Sequence, residues 1–376
     1  MNASSEATQL WELDYWPLTY LALPTTLALL FLYFREPLIQ KSKVVLATSR
    51  ASINDESSFE PMGIVEPFAF KHSWETEEPR KIYKFSPKYF STMGLTNTNI
   101  NFITQIDKQF PERLIERQRI LDTHPNALKC LPTAVPMVKE LYTYLITHYL
   151  PRRYPSIFAL HSNSLLNKVT NKHLPLTPPT DPIEALQLIA VNIDEDFLML
   201  LPAPDGDGYS LQSFVWCYPV GFDAGSKLGL KLREAHKPVP EYKEKLQGSM
   251  DRYFGGLKVG RVVYRVNWAI ATNASLCEDG EYHLYEGQEI STETDIDISN
   301  CWVRCELQTL FALPKTGGRI LSVHLYLYPL QQIKDEGLGR ELIEAIDGLK
   351  LGNAPAFWRY KRAPLWQEKV KEFLRS

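Results

Sequence analysis

The sequence predicts an α+β fold, an antiparallel sheet flanked by helices, preceded by one N-terminal transmembrane helix. Three observations favour it. An uncharged apolar stretch runs from Leu18 to Phe34, strand-like segments follow one another in the second half of the chain, and helical patterns are grouped around them. Because βαβ alternation and a glycine-rich phosphate loop are absent from the sequence, a nucleotide-binding fold is not expected.

Composition excludes several classes of protein. The chain has 376 residues, 44% hydrophobic and 23% charged, which is typical of an ordered protein with a large core. A net charge of -3 provides no overall basic field, so nucleic acid is not an expected partner. The five cysteines form no CxxC pair, which argues against a disulfide framework, a zinc site or an iron–sulfur site. We interpret them as reduced thiols.

The apolar stretch also predicts where the protein resides. Acidic residues precede Leu18 and basic residues follow Phe34, so the positive-inside rule places the C-terminal part in the cytosol. The alternative, a cleaved signal peptide, is disfavoured because its basic leading region is missing. The predicted organisation is therefore a non-cytosolic N-terminus (1–17), a single membrane span (18–34), a linker (35–80) and one folded domain (81–376).

Within the domain, periodicity predicts helices first, then mostly strands, then helices again. An Asp-Gly-Asp-Gly sequence from Asp205 is typical of a hairpin turn. The predicted helices are Glu112–Leu121, Thr133–Leu150, Lys227–Leu232, Val239–Phe254, Gly337–Leu349 and Pro364–Leu374. The predicted strands are Ile183–Ile193, Phe197–Leu201, Leu211–Tyr218, Arg261–Ala271, Trp302–Leu313 and Arg319–Tyr328.

His236 is the histidine best placed for chemistry. It ends a helix-like run and precedes Lys-Pro-Val-Pro, whose prolines stiffen the backbone that presents the imidazole. Such a histidine can be the proximal ligand of a heme iron, or it can simply interact with the dipole at a helix C-terminus. The residues alone leave both readings open.

Two predicted strands each have a polar face. In the first, Arg265 and Asn267 share one face and Val266 and Trp268 share the other. An arginine on such a face can pair with a heme propionate or polarise oxygen, or form a cross-strand ion pair in solvent.

The second polar row consists of Arg304, Glu306 and Gln308. It can line a cavity or face solvent, and the pattern favours solvent.

Other charged positions have simpler interpretations. His324, within an apolar strand, is expected to be a core histidine. The helix with Arg113, Arg117 and Arg119 is expected to present a solvated or salt-bridged face, which could also dock an acidic reductase. Hydrolase motifs such as Gly-x-Ser-x-Gly and His-Glu-x-x-His are absent from the sequence.

Several strings in one order carry a family resemblance: FPER, AHKPVPEY, YRVNWAI and VRCELQTLFALPKTG. Over about residues 85 to 375 the chain resembles the family that contains the α subunit of heme-dependent oxidative N-demethylase and the fungal HRQ family proteins. The resemblance implies a PAS-like domain with heme b held between the sheet and helices. It also implies oxygen-dependent removal of a methyl group from a secondary amine as formaldehyde, with electrons delivered by separate subunits.

Carried over to this sequence, the resemblance implies that His236 binds the iron. It also implies that Arg265, Asn267, Trp268, Glu306 and Gln308 belong to the site, matching the family strings Arg-x-Asn-Trp and Glu-x-Gln-Thr. We expect Arg265 and Glu306 to be catalytic, and Asn267, Trp268, Arg304 and Gln308 to contact the cofactor. Two departures are Leu307 and His324, where bacterial relatives carry arginine, and they put the same substrate in doubt.

The expected function is therefore that of a membrane-anchored, oxygen-dependent heme oxidase. Its substrate would be a small amine or a secondary-metabolite intermediate, and its partners molecular oxygen, the membrane and a separate electron-donor protein. The alternative is a non-catalytic PAS-type heme sensor or binding protein, since fold does not determine function. A third possibility is a membrane adaptor without a cofactor.

Overall fold

The computed structural model describes residues 58–278, 282–285, 287–289 and 296–376. Its centre is an antiparallel sheet of seven strands in the order β1-β8-β9-β10-β6-β7-β2, and a small sheet has the order β3-β4-β5. The strands are β1 Thr96–Thr98, β2 Leu128–Cys130, β3 Phe158–Leu160, β4 Ser164–Asn167, β5 Lys172–Pro175, β6 Asp196–Pro202, β7 Tyr209–Val215, β8 Val262–Ala271, β9 Trp302–Ala312 and β10 Arg319–Pro329.

Helices lie before, between and after the strands of the large sheet. The α-helices are Phe110–Thr123, Val135–Thr143, Leu150–Arg153, Pro182–Ala190, Leu232–Ala235, Tyr242–Lys245, Gln247–Gly256, Leu330–Asp335, Gly339–Gly348, Phe357–Tyr360 and Ala363–Arg375. A π-helical segment, Tyr144–Tyr149, joins the second and third of these, and short 3-10 turns occur at Glu60–Met62, Trp74–Thr76, Ile100–Phe102, Pro132–Ala134, Ala224–Lys227 and Ile298–Asn300.

The large sheet separates a closed side from an open one. Successive residues of a strand point to opposite faces. In β10, Ser322 and His324 are buried on one face, whereas Leu321 and Val323 line a cavity on the other. The buried face packs against the helix Val135–Thr143 and, further along, against the C-terminal helix Ala363–Arg375. The mixed α+β architecture with an antiparallel sheet is the one that the sequence predicts.

One predicted strand is in fact a helix. Residues 183–193 were expected to be extended, but Pro182–Ala190 is helical, and the Asp181 carboxylate accepts a hydrogen bond from the Ile183 amide at 2.9 Å. Asp181 is thus the N-cap and Pro182 occupies the first turn, where its missing N–H costs nothing. A short apolar run has no clear period, so these two residues were the better signal.

The predicted transmembrane helix and single-pass localisation require correction. No helix of the described residues is long and apolar enough to cross a membrane. The two longest α-helices there have 14 and 13 residues, whereas a span needs about 20 apolar ones. The segment 18–34 itself lies outside the described residues. The fold is therefore described as α+β, and the membrane anchor is not retained.

The arginines of the helix Phe110–Thr123 were expected on a solvated or salt-bridged face; each of them lies in an ion pair, but two of the three are buried and not solvated. Arg117 is fully buried, and its Nη1 lies 2.9 Å from Oδ1 of Asp196. Arg113 is buried too and donates to the carbonyl of Leu325 at 2.9 Å. Arg119 alone of the three is exposed. Two of these arginines are therefore buried in structural contacts and are not available to dock a reductase.

Candidate functional site

A cavity of about 350 Å³ lies between the open face of the large sheet and the helices Leu232–Ala235, Tyr242–Lys245 and Gln247–Gly256. This volume falls within the range of small-molecule and cofactor pockets. Its apolar lining includes Leu198, Leu200, Leu211, Leu232, Val239, Leu246, Met250, Phe254, Leu310 and Leu321. The rest of the wall is polar, so one part of the cavity suits an apolar group and another part suits a charged one.

The polar wall is built by the pairing of β8 with β9. Arg265 lies opposite Gln308 and Asn267 lies opposite Glu306, and the next residue of the same face in β9 is Arg304. All five line the cavity. The two polar rows predicted from the sequence therefore form one patch, and it faces a cavity and not open solvent.

His236 lies at the end of the helix Leu232–Ala235 and also lines the cavity. Its Nδ1 is 2.8 Å from the carbonyl oxygen of Leu232. A carbonyl can only accept, so Nδ1 carries the hydrogen and Nε2 keeps its lone pair. The ring stacks on Tyr242 with centroids 5.0 Å apart and an interplanar angle of 14°.

The electrostatic surroundings keep this imidazole neutral. Burial lowers the pKa of His236, the hydrogen bond to Leu232 opposes that effect, and the positive charge of Arg265 adds to it. A neutral imidazole with one nitrogen held by a backbone carbonyl and the other available is the usual form of a metal-binding histidine.

Arg265 has no partner for its charge among the described residues. It forms no ion pair or hydrogen bond there, and its Nε is buried without an acceptor. Leaving a buried donor unsatisfied costs about 1–3 kcal/mol. This guanidinium is therefore poised to bind an anionic or electron-rich group inside the cavity.

Arg304 has a different environment. Its Nη1 donates to the carbonyls of Ser275 and Leu276 at 3.3 and 3.1 Å, and its Nη2 donates to that of Tyr218 at 3.1 Å. Burial lowers its pKa. Because these three carbonyls come from two loops beside the cavity, Arg304 holds the two loops together, and its Nε has no acceptor among the described residues.

Glu306 and Gln308 orient each other. The Gln308 amide Nε2 donates to Oε2 of Glu306 at 2.9 Å, so this carboxylate is fixed in the cavity wall. Its other oxygen has no hydrogen-bond partner among the residues described here. Glu306 can therefore accept a hydrogen bond or a proton from a bound molecule.

Trp268 and the two departures from the family lie on the opposite face of the sheet. The Trp268 ring packs edge-on against Phe85, with centroids 6.1 Å apart, and does not line the cavity. Side-chain alternation causes this, because Trp268 follows Asn267 directly. Leu307 and His324 are buried on that same far face. The structure thus separates these three positions from the predicted site.

Sequence reasoning missed several residues of the cavity. Lys361, next to the short helix Phe357–Tyr360, reaches the polar patch, and its Nζ donates to Oδ1 of Asn267 at 3.2 Å. The aromatic residues Tyr282, His283, Tyr285 and Tyr360 also line the cavity, with His283 stacked on Tyr360 at 4.2 Å. The aromatic sequence YHLY (residues 282–285) was a signal that could have indicated a cavity wall. The basic sequence around Lys361 offered no such signal, because it resembles an exposed segment.

The residues present fit a heme better than a metal ion with several protein ligands. The described residues contain no cluster of three or more histidines, cysteines or acidic residues that could hold a metal ion. A heme iron needs only one such ligand, and His236 offers an available nitrogen in a largely apolar cavity.

The sequence profile of one known family matches most of the chain. The family is described as haem-dependent oxidative N-demethylase, alpha subunit-like, and the match covers residues 94–371, which include every cavity residue named above. No curated protein shows significant similarity to the chain. The chain therefore belongs to the haem-dependent oxidative N-demethylase alpha-subunit-like family, and heme is the cofactor that this family indicates.

Proposed function

We propose that the chain is a heme enzyme that uses molecular oxygen to oxidise a small amine, by oxidative N-demethylation. The observation that carries the proposal is that one cavity contains both a histidine with an available nitrogen and an arginine that has no counter-ion among the described residues. The family match supports the same chemistry.

His236 is the proposed ligand of the iron of heme b. Its Nδ1–H bond to Leu232 and its stacking on Tyr242 fix both the tautomer and the plane of the ring. This arrangement holds Nε2 in a fixed position from which its lone pair can bind a metal. A bound heme would supply the one-electron and oxygen chemistry that amino-acid side chains lack.

Arg265 and Glu306 are the proposed catalytic residues. Arg265 offers hydrogen-bond donors to oxygen in the cavity and stabilises negative charge that develops there. Glu306, oriented by Gln308, accepts a hydrogen bond from the substrate amine and can take its proton. Asn267 and Gln308 position these groups, and Arg304 braces the loops on which part of the wall depends.

Electrons are proposed to come from a separate donor protein. The sequence has no CxxC pair and no glycine-rich phosphate loop, so it provides neither the usual iron–sulfur spacing nor a flavin or nicotinamide fingerprint.

Formaldehyde release tests this proposal. The full chain, supplied with heme and reduced chemically, is exposed to oxygen and a series of N-methylated amines. We expect formaldehyde in proportion to the amine consumed, and at least about tenfold less from Arg265→Ala or Glu306→Gln, because each removes a charge-assisted contact.

Arg340→Ala is the control, since Arg340 is an exposed arginine on a distant helix, and it should leave the rate unchanged. A stable oxygen complex without any formaldehyde would contradict the enzyme and favour the non-catalytic heme sensor. Unchanged turnover in Arg265→Ala would remove that residue from the catalytic machinery.

A further inference from the structure

The cavity wall holds more positive than negative charge. Among the described residues that line it, the cations are Lys227, Arg265, Arg304 and Lys361, and the single carboxylate is that of Glu306. Arg304 is compensated by three carbonyls, but Arg265 and Lys361 form no ion pair with any residue that the structure describes. Charges placed together away from water are costly unless an opposite charge is bound. The wall therefore carries excess positive charge, which an anionic ligand can neutralise.

Lys361 is held in one position at the edge of this wall. It is only 8% exposed, and its Nζ donates to Oδ1 of Asn267 at 3.2 Å and to the carbonyl of Trp268 at 2.5 Å. The ammonium also lies 5.4 Å from the ring centre of Tyr89 and 5.5 Å from that of Trp268. Two of its three N–H groups are thus used, and the third has no acceptor among the described residues.

A neutral donor would satisfy these two oxygens as well as a lysine does. The positive charge of Lys361 is therefore not required by these two hydrogen bonds. It is also costly in this position: burial lowers the pKa of Lys361 to about 8, the negative charge of Glu306 opposes this shift and the positive charge of Arg265 adds to it. At neutral pH the group is still an ammonium, but one that lacks a carboxylate within ion-pair distance in the described structure. An anion bound beside it would offset that cost.

We propose that Lys361 anchors a carboxylate group of a molecule bound in the cavity. The proposal rests on the proposed heme function, since the carboxylate can be a propionate of the heme or a carboxylate of an N-methylated substrate. Both sources present the same chemistry to the ammonium. In either case Lys361 positions the bound molecule, and its hydrogen bond to Asn267 fixes the orientation of the ammonium group.

The test compares ligands with and without a free carboxylate. Heme and heme dimethyl ester are titrated by Soret absorbance, and N-methylglycine and N-methylethanamine by calorimetry. Each is measured on the full chain, on Lys361→Met and on Lys361→Gln, which keeps a donor for Asn267 and Trp268 but lacks the charge. Lys361→Arg tests rescue, and Lys350→Met is the matched control, because Lys350 is an exposed lysine that also lies over a tryptophan ring, that of Trp358.

We expect the uncharged variants to lose about tenfold or more in affinity for one carboxylate ligand and nothing for its carboxylate-free analogue. Weaker binding of heme but not of its ester identifies a propionate, whereas weaker binding of N-methylglycine alone identifies a substrate carboxylate. Arginine should restore part of the loss, and Lys350→Met should bind every ligand normally.

Wild-type affinities for all four ligands in both uncharged variants would overturn the anchor while leaving the heme function intact. Failure of the wild-type chain to bind heme would instead overturn the proposed function. The comparison of N-methylglycine with N-methylethanamine would then still decide whether Lys361 binds a carboxylate.

Discussion

Buried charge is partnered at the start of β6 and unpartnered at the cavity wall. At the start of β6, Arg117 is paired with Asp196 at 2.9 Å, and His324 lies 3.0 Å from the neighbouring Glu195. On the open face, Arg265 and Lys361 have no ion-pair partner among the described residues, although both adjoin the cavity.

This difference separates structural charges from those of a binding site. Breaking a matched buried pair leaves an uncompensated charge, so such a pair makes the fold dependent on both members. An unmatched charge adds nothing to the stability of the empty fold and becomes favourable only when a ligand completes it. We therefore assign Arg117 to the fold and Arg265 to function.

The largest expected effect is on the buried ion pair at the start of β6. Arg117→Met should lower the free energy of unfolding by about 3–5 kcal/mol, because it leaves Asp196 buried without its counter-ion. Chemical denaturation at fixed pH measures this. Arg119→Met is the control on the same helix, where the exposed pair with Glu116 should contribute under about 1 kcal/mol. An equal loss of unfolding free energy in the two variants would contradict a structural role specific to the buried Arg117.

A smaller effect is expected from the pH dependence of the open face. The pKa of Lys361 is lowered from 10.5 to about 8, so between these values the unfolded chain binds a proton that the folded chain has released. Stability that is present above pH 10.5 is therefore lost as the pH falls through 8. Relative to Lys361→Met, the wild-type chain without ligand should gain up to about 3 kcal/mol from pH 8 to 10.5.

Chemical denaturation curves of the wild type and Lys361→Met across this pH range provide the measurement. Lys350→Met, which removes an exposed lysine, is the control and should follow the pH profile of the wild type. Parallel pH profiles for the wild type and Lys361→Met would show that the lysine is not under strain in the empty cavity.

The smallest change in stability should come from Arg265. Among the described residues this guanidinium forms no hydrogen bond or ion pair that the variant would lose, and its Nε is buried without an acceptor. Arg265→Met should therefore not lower the free energy of unfolding, and should raise it by about 1 kcal/mol, the lower end of the cost of an unsatisfied buried donor. Thermal or chemical unfolding of the ligand-free chain measures this. A loss as large as that of Arg117→Met would make Arg265 a structural residue and contradict its assignment.

The sequence predicted the elements whose periodicity is long. The strands that became β8, β9 and β10, the hairpin after β6 and the polar faces of Arg265 and Glu306 were all expected, because alternation over many residues defines a strand and its two sides. His236, which lines the cavity, was selected as a candidate because prolines and a helix end mark a rigid position.

What the sequence could not show depends on contacts between distant segments. A polar row looks the same whether it faces solvent or a cavity, so the enclosure of Glu306 and Gln308 became clear only with the helices placed over them. Arg113 was expected on a solvated or salt-bridged face, and no role was predicted for Lys361, because basic residues are usually exposed. Their burial depends on segments distant in the chain, Asp194 for Arg113 and β8 for Lys361.

The membership of Trp268 in the site was expected from a family string, but a string does not state which face each residue takes. Its indole lies on the far side, while its carbonyl holds Lys361.

The ligand that we propose for a heme in this cavity is His236. The visible absorption spectrum of the full chain produced with heme tests it most directly, beside His236→Ala and His283→Ala, since His283 is the other histidine of the described cavity wall. We predict a strong Soret band that is lost or shifted in His236→Ala and retained in His283→Ala. A folded wild-type chain without a Soret band would contradict heme binding, and a band that is unchanged in His236→Ala would contradict ligation by His236.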